Sequence, residues 1–268
     1  MSPYSSPMSG ISASEIKRIK SLSSKKFRDE YGLFTVEGEK MVAEALSSRF
    51  RVEKVYSRDE IGDTAMARIS QLSSPSPVLA LVNKPETLAL ASEKDVEDAL
   101  APSGRPAQGL FLALDAIRDP GNLGTILRIA DWFGIDAVFA SHDTVDVFNP
   151  KVVQSTMGAI FRVRFHYVDI PLLEKVVTKA GGKVYGTFLD GDNIYRSPLD
   201  CGQSSPSVII VGNESDGISP QVAALVSDRL FIPPYPSGCP GSESLNAAVA
   251  TAVTVAEFRR RTVSGTDN

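Results

Sequence analysis

The sequence has few of the residues that build disulfide or metal sites. Its 268 residues include two cysteines, Cys201 and Cys239, and two histidines, His142 and His166. Two cysteines cannot form a disulfide framework, and so few are typical of a reducing compartment. CxxC and HExxH spacings are missing, which argues against the common zinc motifs, while a carboxylate-only magnesium site stays open. We therefore expect no metal cofactor.

Long hydrophobic runs and a strong charge of either sign are also missing. The longest apolar stretches, PVLALV at 77–82 and GLFLAL at 109–114, fall short of the roughly 20 residues of a membrane span. The N-terminus is polar and has no secretory apolar core. A net charge of −4 argues against a generally basic surface and permits a local basic patch. These features predict a cytoplasmic protein with no membrane contact.

What is present indicates a globular protein of two domains. The chain is 43% hydrophobic and 22% charged, and its length exceeds one average domain. A polar stretch with Pro and Gly over 93–108 predicts a linker. The expected domains are therefore residues 1–105, linker included, and 106–268. Strand and helix signals alternate in the first, beginning with LFTVEGEK and ending with PVLALV.

A basic segment opens the first domain. Ile16, Ile19 and Leu22 recur at helical spacing and predict a short amphipathic helix. Six basic residues fall within twelve positions that contain no acid: Lys17, Arg18, Lys20, Lys25, Lys26 and Arg28. Two interpretations fit them, a solvated helix face or a contact with the phosphates of a nucleic acid.

The second domain alternates apolar strands with helices. The strand signals are GLFLALD, DAVFAS, KVYGTFLD, SVIIVG and RLFIPP. Continuous apolar strands separated by helices predict a parallel sheet covered on both faces. Ligands of such sheets bind beyond the carboxyl ends of the strands. The residues that directly follow each strand are therefore the candidate site.

The first such strand end is LDAIRDPGNLGTILRIADWFG at 114–134. Residues 119–122 predict a turn that begins a helix. At 100° per residue the apolar positions from Leu123 to Phe133 share one side of that helix, and Arg128 lies opposite them. Arg128 is therefore free to contact a ligand or a partner chain.

Two further strand ends are rich in Gly, Ser and Pro. SVIIVGNESDGIS at 207–219 runs directly into Gly212, where a ligand could approach the backbone, although a simple turn explains the glycine equally well. RLFIPP at 229–234 leads through a Gly/Pro/Ser loop to Ser244-Leu245-Asn246 and an Ala-rich helix. No Walker loop, GxGxxG or GxSxG motif is present. Cys239 is interpreted as a loop residue, and the two histidines as structural.

The three strand ends, in this order, resemble the SpoU/TrmH branch of the SPOUT RNA methyltransferases. The family's Asn-to-Arg motif is similar to Asn122 and Arg128, and its Gly and Glu-x-x-Gly element to VGNESDGIS. Its Ile-Pro and Ser-Leu-Asn elements are similar to 232–233 and 244–246, here joined by a longer loop. FNPKVVQSTMGAIFRV at 148–163 also resembles the family, and RIKSLSSKKFRDEYGLFTVEGEKMVAEAL resembles its RNA substrate-binding domain.

The resemblance implies a fold and a set of site residues. The fold is α/β, with a C-terminal SPOUT domain that has a parallel sheet and a deep trefoil knot, and a smaller N-terminal α/β RNA-binding domain. The protein is expected to form a homodimer through the knot and to bind S-adenosylmethionine there. The implied catalytic residues are Arg128, Asn122, Glu214 and Asn246. The implied cofactor-binding residues are Gly212, Ile232, Leu245, Ser244 and Leu189. The implied RNA-binding residues are Lys17, Arg18, Lys25, Lys26 and Arg28.

The implied reaction is methyl transfer to a ribose 2′-hydroxyl, with ribosomal RNA as the expected substrate. A guanidinium is a poor base, so we expect Arg128 to bind a phosphate and polarise the hydroxyl, next to the cofactor of a partner subunit. Glu214 could instead serve a helix N-terminus, and Asn246 could cap the last helix. The alternatives for the whole protein are a tRNA 2′-O-methyltransferase, a SPOUT enzyme that modifies a base nitrogen, and an inactive RNA-binding or ribosome-assembly protein.

Overall fold

A computed structural model of the chain describes residues 10–86, 88–101, 107–236 and 243–264. These residues divide into two compact units. The first unit contains the residues up to Glu86 together with Asp146–Arg162, and the second contains the remainder. The expected domain limit between 105 and 106 and the loop cysteine Cys239 lie outside the described residues. The domains 1–105 and 106–268 therefore stay a prediction.

The helices and strands alternate along both units. In chain order the helices are α1 (Ala13–Ser21), α2 (Lys25–Tyr31), α3 (Glu39–Ser47), α4 (Arg58–Ile61), α5 (Asp63–Ile69), α6 (Glu93–Leu100), α7 (Pro120–Trp132), α8 (Pro150–Ser155), α9 (Ile170–Lys179), α10 (Pro220–Ala223) and α11 (Ala247–Ser264). The strands are β1 (Leu33–Glu37), β2 (Val52–Ser57), β3 (Val78–Asn83), β4 (Ala89–Leu90), β5 (Gly109–Leu114), β6 (Val138–Ala140), β7 (Phe165–Val168), β8 (Lys183–Phe188), β9 (Asp192–Asn193), β10 (Pro206–Val211) and β11 (Asp228–Phe231).

The first unit is built on an antiparallel sheet in the order β1-β3-β2. An apolar cluster joins this sheet to α1 and α5 through buried residues such as Ile19, Met66 and Leu81. The predicted amphipathic helix is two helices. Ser12 caps α1 through its side chain, and a turn after Ser21 separates α1 from α2.

The segment Asp146–Arg162 completes the first unit. Phe148 packs on Phe34 of β1 with ring centroids 4.5 Å apart, and Phe161 meets Phe50 edge to face at 5.4 Å. All three of Phe34, Phe148 and Phe161 are buried. Burial of aromatic rings of this size contributes strongly to a small core. A segment from the second half of the sequence therefore belongs to the core of the first unit.

The second unit contains an eight-stranded sheet in the order β4-β7-β6-β5-β10-β8-β11-β9. Each recorded pairing between its strands is parallel, as the sequence predicts. β5 and β10 are adjacent, and the chain leaves them in opposite directions, from β5 to β6 and from β10 to β11. Such a reversal is a topological switch point, and its carboxyl edge is the usual ligand site of an open α/β sheet.

The predicted linker over 93–108 is wrong in its first half. Glu93–Leu100 form α6, which begins with a capping box made by Ser92 and Asp95. Val96 and Leu100 of this helix are buried in the core of the second unit. The polar residues that suggested a linker are the exposed face of an amphipathic helix, which a short window of composition cannot distinguish from a loop. Residues 102–106 of the stretch lie outside the described residues.

Candidate active site

Helix α7 begins at the carboxyl end of β5 and carries the first motif. Asp119 caps it by accepting a hydrogen bond from the backbone N–H of Asn122 at 2.8 Å, and Pro120 occupies its first position. Leu123 and Leu127 are buried, while Arg128 is exposed. The helical periodicity read from the sequence is therefore confirmed.

The turn after β10 is held against the loop after β5. The side chain of Asn213 donates to the carbonyl oxygen of Ala116 at 2.8 Å, and the backbone N–H of Ser219 donates to Asp115 at 2.7 Å. Asn213 and Gly217 also pair through two backbone hydrogen bonds of 2.9 Å. Sequence analysis missed both residues, although Asp115 directly follows β5 and Asn213 lies two residues after β10. They fix the loop that presents Glu214.

The packing of the turn after β10 requires a glycine at position 212. A Cβ atom built on it would lie 2.1 Å from the carbonyl carbon of Gly217 and 2.2 Å from the backbone nitrogen of Ile218. Backbone cannot yield to such a contact, so a larger residue would displace the turn. The space that the sequence suggested for a ligand beside the Cα of Gly212 is filled by residues 217–218. The role of Gly212 in cofactor binding stays a prediction.

Three of the four expected catalytic residues form one chain of hydrogen bonds. The side-chain amide of Asn246 donates to the side-chain oxygen of Asn122 at 2.9 Å. The side-chain amide of Asn122 in turn donates a short hydrogen bond to the carboxylate of Glu214. The chain joins the residues that follow β5, those that follow β10 and those that precede α11. It lies at the switch point of the sheet.

Asn246 has two functions in this arrangement. Its side-chain oxygen accepts hydrogen bonds from the backbone N–H groups of Ala248 at 3.0 Å and Val249 at 3.3 Å, which caps α11. The same amide donates to Asn122. The two interpretations of Asn246, helix cap and site residue, are therefore both compatible with the structure. Glu214 does not cap α7, since Asp119 does, but its charge lies near the positive end of that helix.

Arg128 lies apart from this chain of hydrogen bonds. It follows Asn122 by six positions on one helix, which corresponds to about 9 Å along the axis. Its side chain is exposed and forms no hydrogen bond or ion pair with the residues that the structure describes. The structure therefore brings Asn122, Glu214 and Asn246 together and leaves Arg128 less than two turns further along α7.

The expected cofactor residues lie at the carboxyl ends of neighbouring strands. Leu189 and Ile232 directly follow Phe188 and Phe231, which are partners in the parallel pairing of β8 and β11. Gly212 follows β10, the next strand along the sheet. Leu189 is 68% exposed and Leu245 is 48% exposed. Ser244 is exposed directly before Leu245, and the loop residues 237–242 lie outside the described residues.

The expected RNA-binding residues differ in their surroundings. Lys17 and Lys26 are exposed. Arg18 pairs with Glu53 at 3.1 Å, and Lys25 pairs with Asp29 at 2.5 Å.

The prediction that Arg28 belongs to an exposed basic face is wrong. Its side chain is 2% exposed and donates through Nε and Nη2 to Asp146 at 2.9 and 2.6 Å. Its Nη1 donates to the carbonyl oxygens of Leu22 at 2.8 Å and Ser23 at 2.9 Å. The guanidinium of Arg28 is thus hydrogen-bonded to groups within the first unit. Neither charge counting nor helical spacing could reveal a partner 118 residues away.

Comparison with protein families identifies the second half of the chain. Residues 109–256 match the model of the SpoU rRNA Methylase family. The chain belongs to this family. Residues 13–94 match the MRM3-like substrate binding domain. The resemblance inferred from three strand ends is thereby confirmed, and the family match includes Asn122, Glu214 and Asn246.

Individual relatives agree with the family assignment. Over 260 residues the chain is 31% identical to the 23S rRNA (guanosine(2553)-2′-O)-methyltransferase RlmP of Bacillus subtilis, covering 91% of this chain and 96% of the relative. A solved structure of a TrmH-family RNA methyltransferase from Porphyromonas gingivalis is 36% identical, with a TM-score of 0.79 and coverage of 94% and 100%. An AdoMet-bound rRNA methyltransferase from Sinorhizobium meliloti is 26% identical, with a TM-score of 0.79 and coverage of 93% and 96%.

The described residues have neither a membrane-spanning helix nor a metal-ligand cluster. None of their helices combines the length and apolarity that crossing a membrane requires. In the same part of the chain, no three His, Cys, Asp or Glu side chains are grouped as metal ligands.

Proposed function

We propose that this protein transfers a methyl group from S-adenosylmethionine to a ribose 2′-hydroxyl of ribosomal RNA. Membership of the SpoU rRNA Methylase family and the names of the relatives support this activity. The observation that carries the proposal is the hydrogen-bonded chain from Asn246 through Asn122 to Glu214 at the switch point. It joins three distant segments of the chain at one place, and in-line transfer between two bound reactants requires such a defined geometry.

The residues at the adjacent strand ends fit an adenosyl group. Leu189 and Leu245 are exposed apolar side chains that could cover an adenine ring, and Ile232 lies beside Leu189 at the same edge. Burial of the adenine ring against such side chains would contribute affinity, and hydrogen bonds from nearby backbone groups to its ring nitrogens would contribute specificity. When bound, S-adenosylmethionine supplies a methyl group activated by the positive charge of its sulfur.

Arg128 is proposed to orient the RNA. Its guanidinium stays protonated at neutral pH, so it suits a phosphate contact and polarisation of the 2′-hydroxyl better than proton removal. Because it lies about 9 Å along α7 from Asn122, we propose that it serves the site of a second copy in a homodimer. The deep trefoil knot, the dimer and a cytoplasmic location are parts of this proposal.

A methyl-transfer assay tests the function. The protein is incubated with S-adenosylmethionine labelled in the methyl group and with separated ribosomal and transfer RNA from cells that lack it. We expect label in ribosomal RNA, recovered after nuclease digestion as a 2′-O-methylnucleoside. Label in transfer RNA alone would instead favour a tRNA enzyme, and label on a base a different SPOUT branch. No transfer to either RNA, with RNA binding retained, would favour an inactive ribosome-assembly protein.

A further inference from the structure

Positive charge is concentrated in the first unit. That unit has 15 basic and 12 acidic side chains, while the second has 13 basic and 20 acidic, which together make up the 28 and 32 of the chain. An excess of negative charge in the second unit disfavours wide contact with RNA phosphates. The first unit is therefore the better surface on which to search for RNA contacts.

One end of the three-stranded sheet gathers several of these basic groups. The antiparallel pairings Leu33 with Asn83 and Val52 with Val82 bring the start of β1, the start of β2 and the end of β3 together. Arg51 directly precedes β2, Arg49 lies three residues before it, and both are exposed. Their guanidinium groups form no hydrogen bond or ion pair with the described part of the chain. They are thus available to a ligand.

The loop that carries the two arginines is held in place. Phe50, between them, packs its ring on Phe34 and Phe161 with centroids 6.1 and 5.4 Å away. Asn83 donates to the carbonyl oxygen of Arg51 through its backbone at 2.9 Å and through its side chain at 3.1 Å. A fixed loop loses little conformational entropy when its charges bind a ligand.

An aromatic side chain lies at the same end of the sheet. Tyr31, the last residue of α2, is 38% exposed and stacks on Phe27 with centroids 6.1 Å apart and an interplanar angle of 21°. The guanidinium of Arg18 lies 5.4 Å from the centre of the Tyr31 ring and pairs with Glu53 of β2. Arg18 therefore contacts the Tyr31 ring and, through its ion pair with Glu53, connects that ring to β2, the strand that follows Arg51.

Two of the acidic groups near this surface are paired with cations. The carboxylate of Asp29 on α2 pairs with both Lys25 and Lys84. Burial opposes ionisation of Asp29, but the two lysines outweigh it and lower its pKa. Glu53 is paired with Arg18. Among the described residues near this end of the sheet, Arg49, Arg51 and Lys26 carry unpaired positive charge, against unpaired negative charge on Glu30 and Glu86.

We propose that these residues bind an unpaired stretch of RNA, with one base stacked on Tyr31 and the phosphates on either side held by Arg49 and Arg51. Tyr31, Arg49 and Arg51 are called the sheet-end surface. Stacking on an aromatic ring requires a base that has left its helix, because the bases of a duplex are stacked on one another. The substrate recognised by the first unit is therefore single-stranded RNA, such as a loop. This inference rests on the proposed function and specifies its substrate.

Fluorescence anisotropy of the full-length protein tests the inference. The probes are a labelled 12-nucleotide single-stranded RNA of mixed sequence and a 12-base-pair RNA duplex, each titrated over a range of KCl concentrations. We expect tighter binding of the single strand. Tyr31→Ala should weaken that binding about tenfold, while Tyr31→Phe, which keeps the ring, should retain it. The double variant Arg49→Ala/Arg51→Ala should reduce the salt slope, d log K/d log [salt], by about 1.4 in magnitude.

The double variant Lys40→Ala/Arg68→Ala is the charge-matched control. Lys40 follows the opposite end of β1. Arg68 lies two residues before Ser70, whose side chain donates to Glu37 at that same end. We expect this control to leave the salt slope unchanged. Equal salt slopes for both double variants, or equal binding of single strand and duplex, would overturn the inference. So would a Tyr31→Ala variant with normal melting temperature and unchanged affinity for the single strand.

Methyl transfer by the same preparations separates this inference from the proposed function. Wild-type protein that methylates ribosomal RNA while the sheet-end variants bind and react normally would refute only the role of this surface. Wild-type protein that binds single-stranded RNA through the sheet-end surface but transfers no methyl group would refute only the proposed reaction.

Discussion

Asn246 and Asn122 lie 124 residues apart in sequence and are joined by a side-chain hydrogen bond of 2.9 Å. Asn246 also caps α11, and Asn122 lies in the first turn of α7. One amide therefore sets the start of one long helix and connects it to the start of another. Through Asn122 this arrangement reaches Glu214, so the position of the carboxylate depends on both helices.

Substitution of Asn246 should separate its two functions. Asn246→Asp keeps an oxygen that caps α11, so the melting temperature should stay near the wild-type value. It removes the donor to Asn122, and methyl transfer should fall about tenfold or more. Asn246→Ala should lose the cap as well and destabilise the protein by about 1 kcal/mol. Thermal unfolding and the transfer assay measure the two effects, and full activity in Asn246→Asp would contradict the importance of this hydrogen bond.

Arg128 should act in the site of the partner copy. Arg128→Ala should abolish methyl transfer while calorimetry shows unchanged binding of S-adenosylmethionine. Co-expression of Arg128→Ala with Glu214→Ala should then restore about a quarter of the wild-type activity, because half of the dimers are mixed and each has one intact site. A mixture as inactive as its two parents would show that Arg128 acts within its own chain.

The buried pair of Arg28 and Asp146 should stabilise the first unit strongly. Asp146→Ala leaves the Arg28 guanidinium buried with two backbone carbonyls as its remaining partners, which should cost about 3–5 kcal/mol. Asp98→Ala, which breaks an exposed pair with Lys94 on α6, is the matched control and should cost less than about 1 kcal/mol. Urea unfolding measures both, and similar losses would show that burial gives the Arg28 pair no special weight.

Glu257 should make stability depend on pH in the acid range. Hydrogen bonds from Arg260 and, to a lesser extent, Arg261 lower the pKa of Glu257 to about 2. Because this pKa is lowered in the folded protein, the ionised carboxylate of Glu257 adds to the free energy of unfolding. This stabilisation is complete above the ordinary pKa of 4.5 and is lost as the pH falls toward about 2. Glu257→Gln should therefore lower the melting temperature at pH 7 and converge with the wild type near pH 2. Glu30→Gln, at an exposed position of α2, is the control, and its melting temperature should stay close to that of the wild type at both pH values.

Helix α6 and the pair Arg28–Asp146 show where inference from sequence stopped. Composition assigned 93–108 to a linker because its polar residues outnumber its apolar ones, yet the apolar residues of α6 face the core. A count of neighbouring charges placed Arg28 on an exposed face. Its partner Asp146 lies 118 residues away, and no local pattern indicates that contact. Strand β7 and helix α9 also went unpredicted, since FHYV and IPLLEKVVTK lie between stronger signals.

The sequence by itself determined the parallel sheet, the α7 periodicity and the three strand ends, because each depends on the order of residues within a short window. Tertiary structure alone decided which side chains of those strand ends meet, that Asp146–Arg162 belongs to the first unit, and that residues 217–218 fill the space beside Gly212. Such contacts join positions far apart in sequence, and their energy depends on distance and burial. Local patterns contain neither quantity.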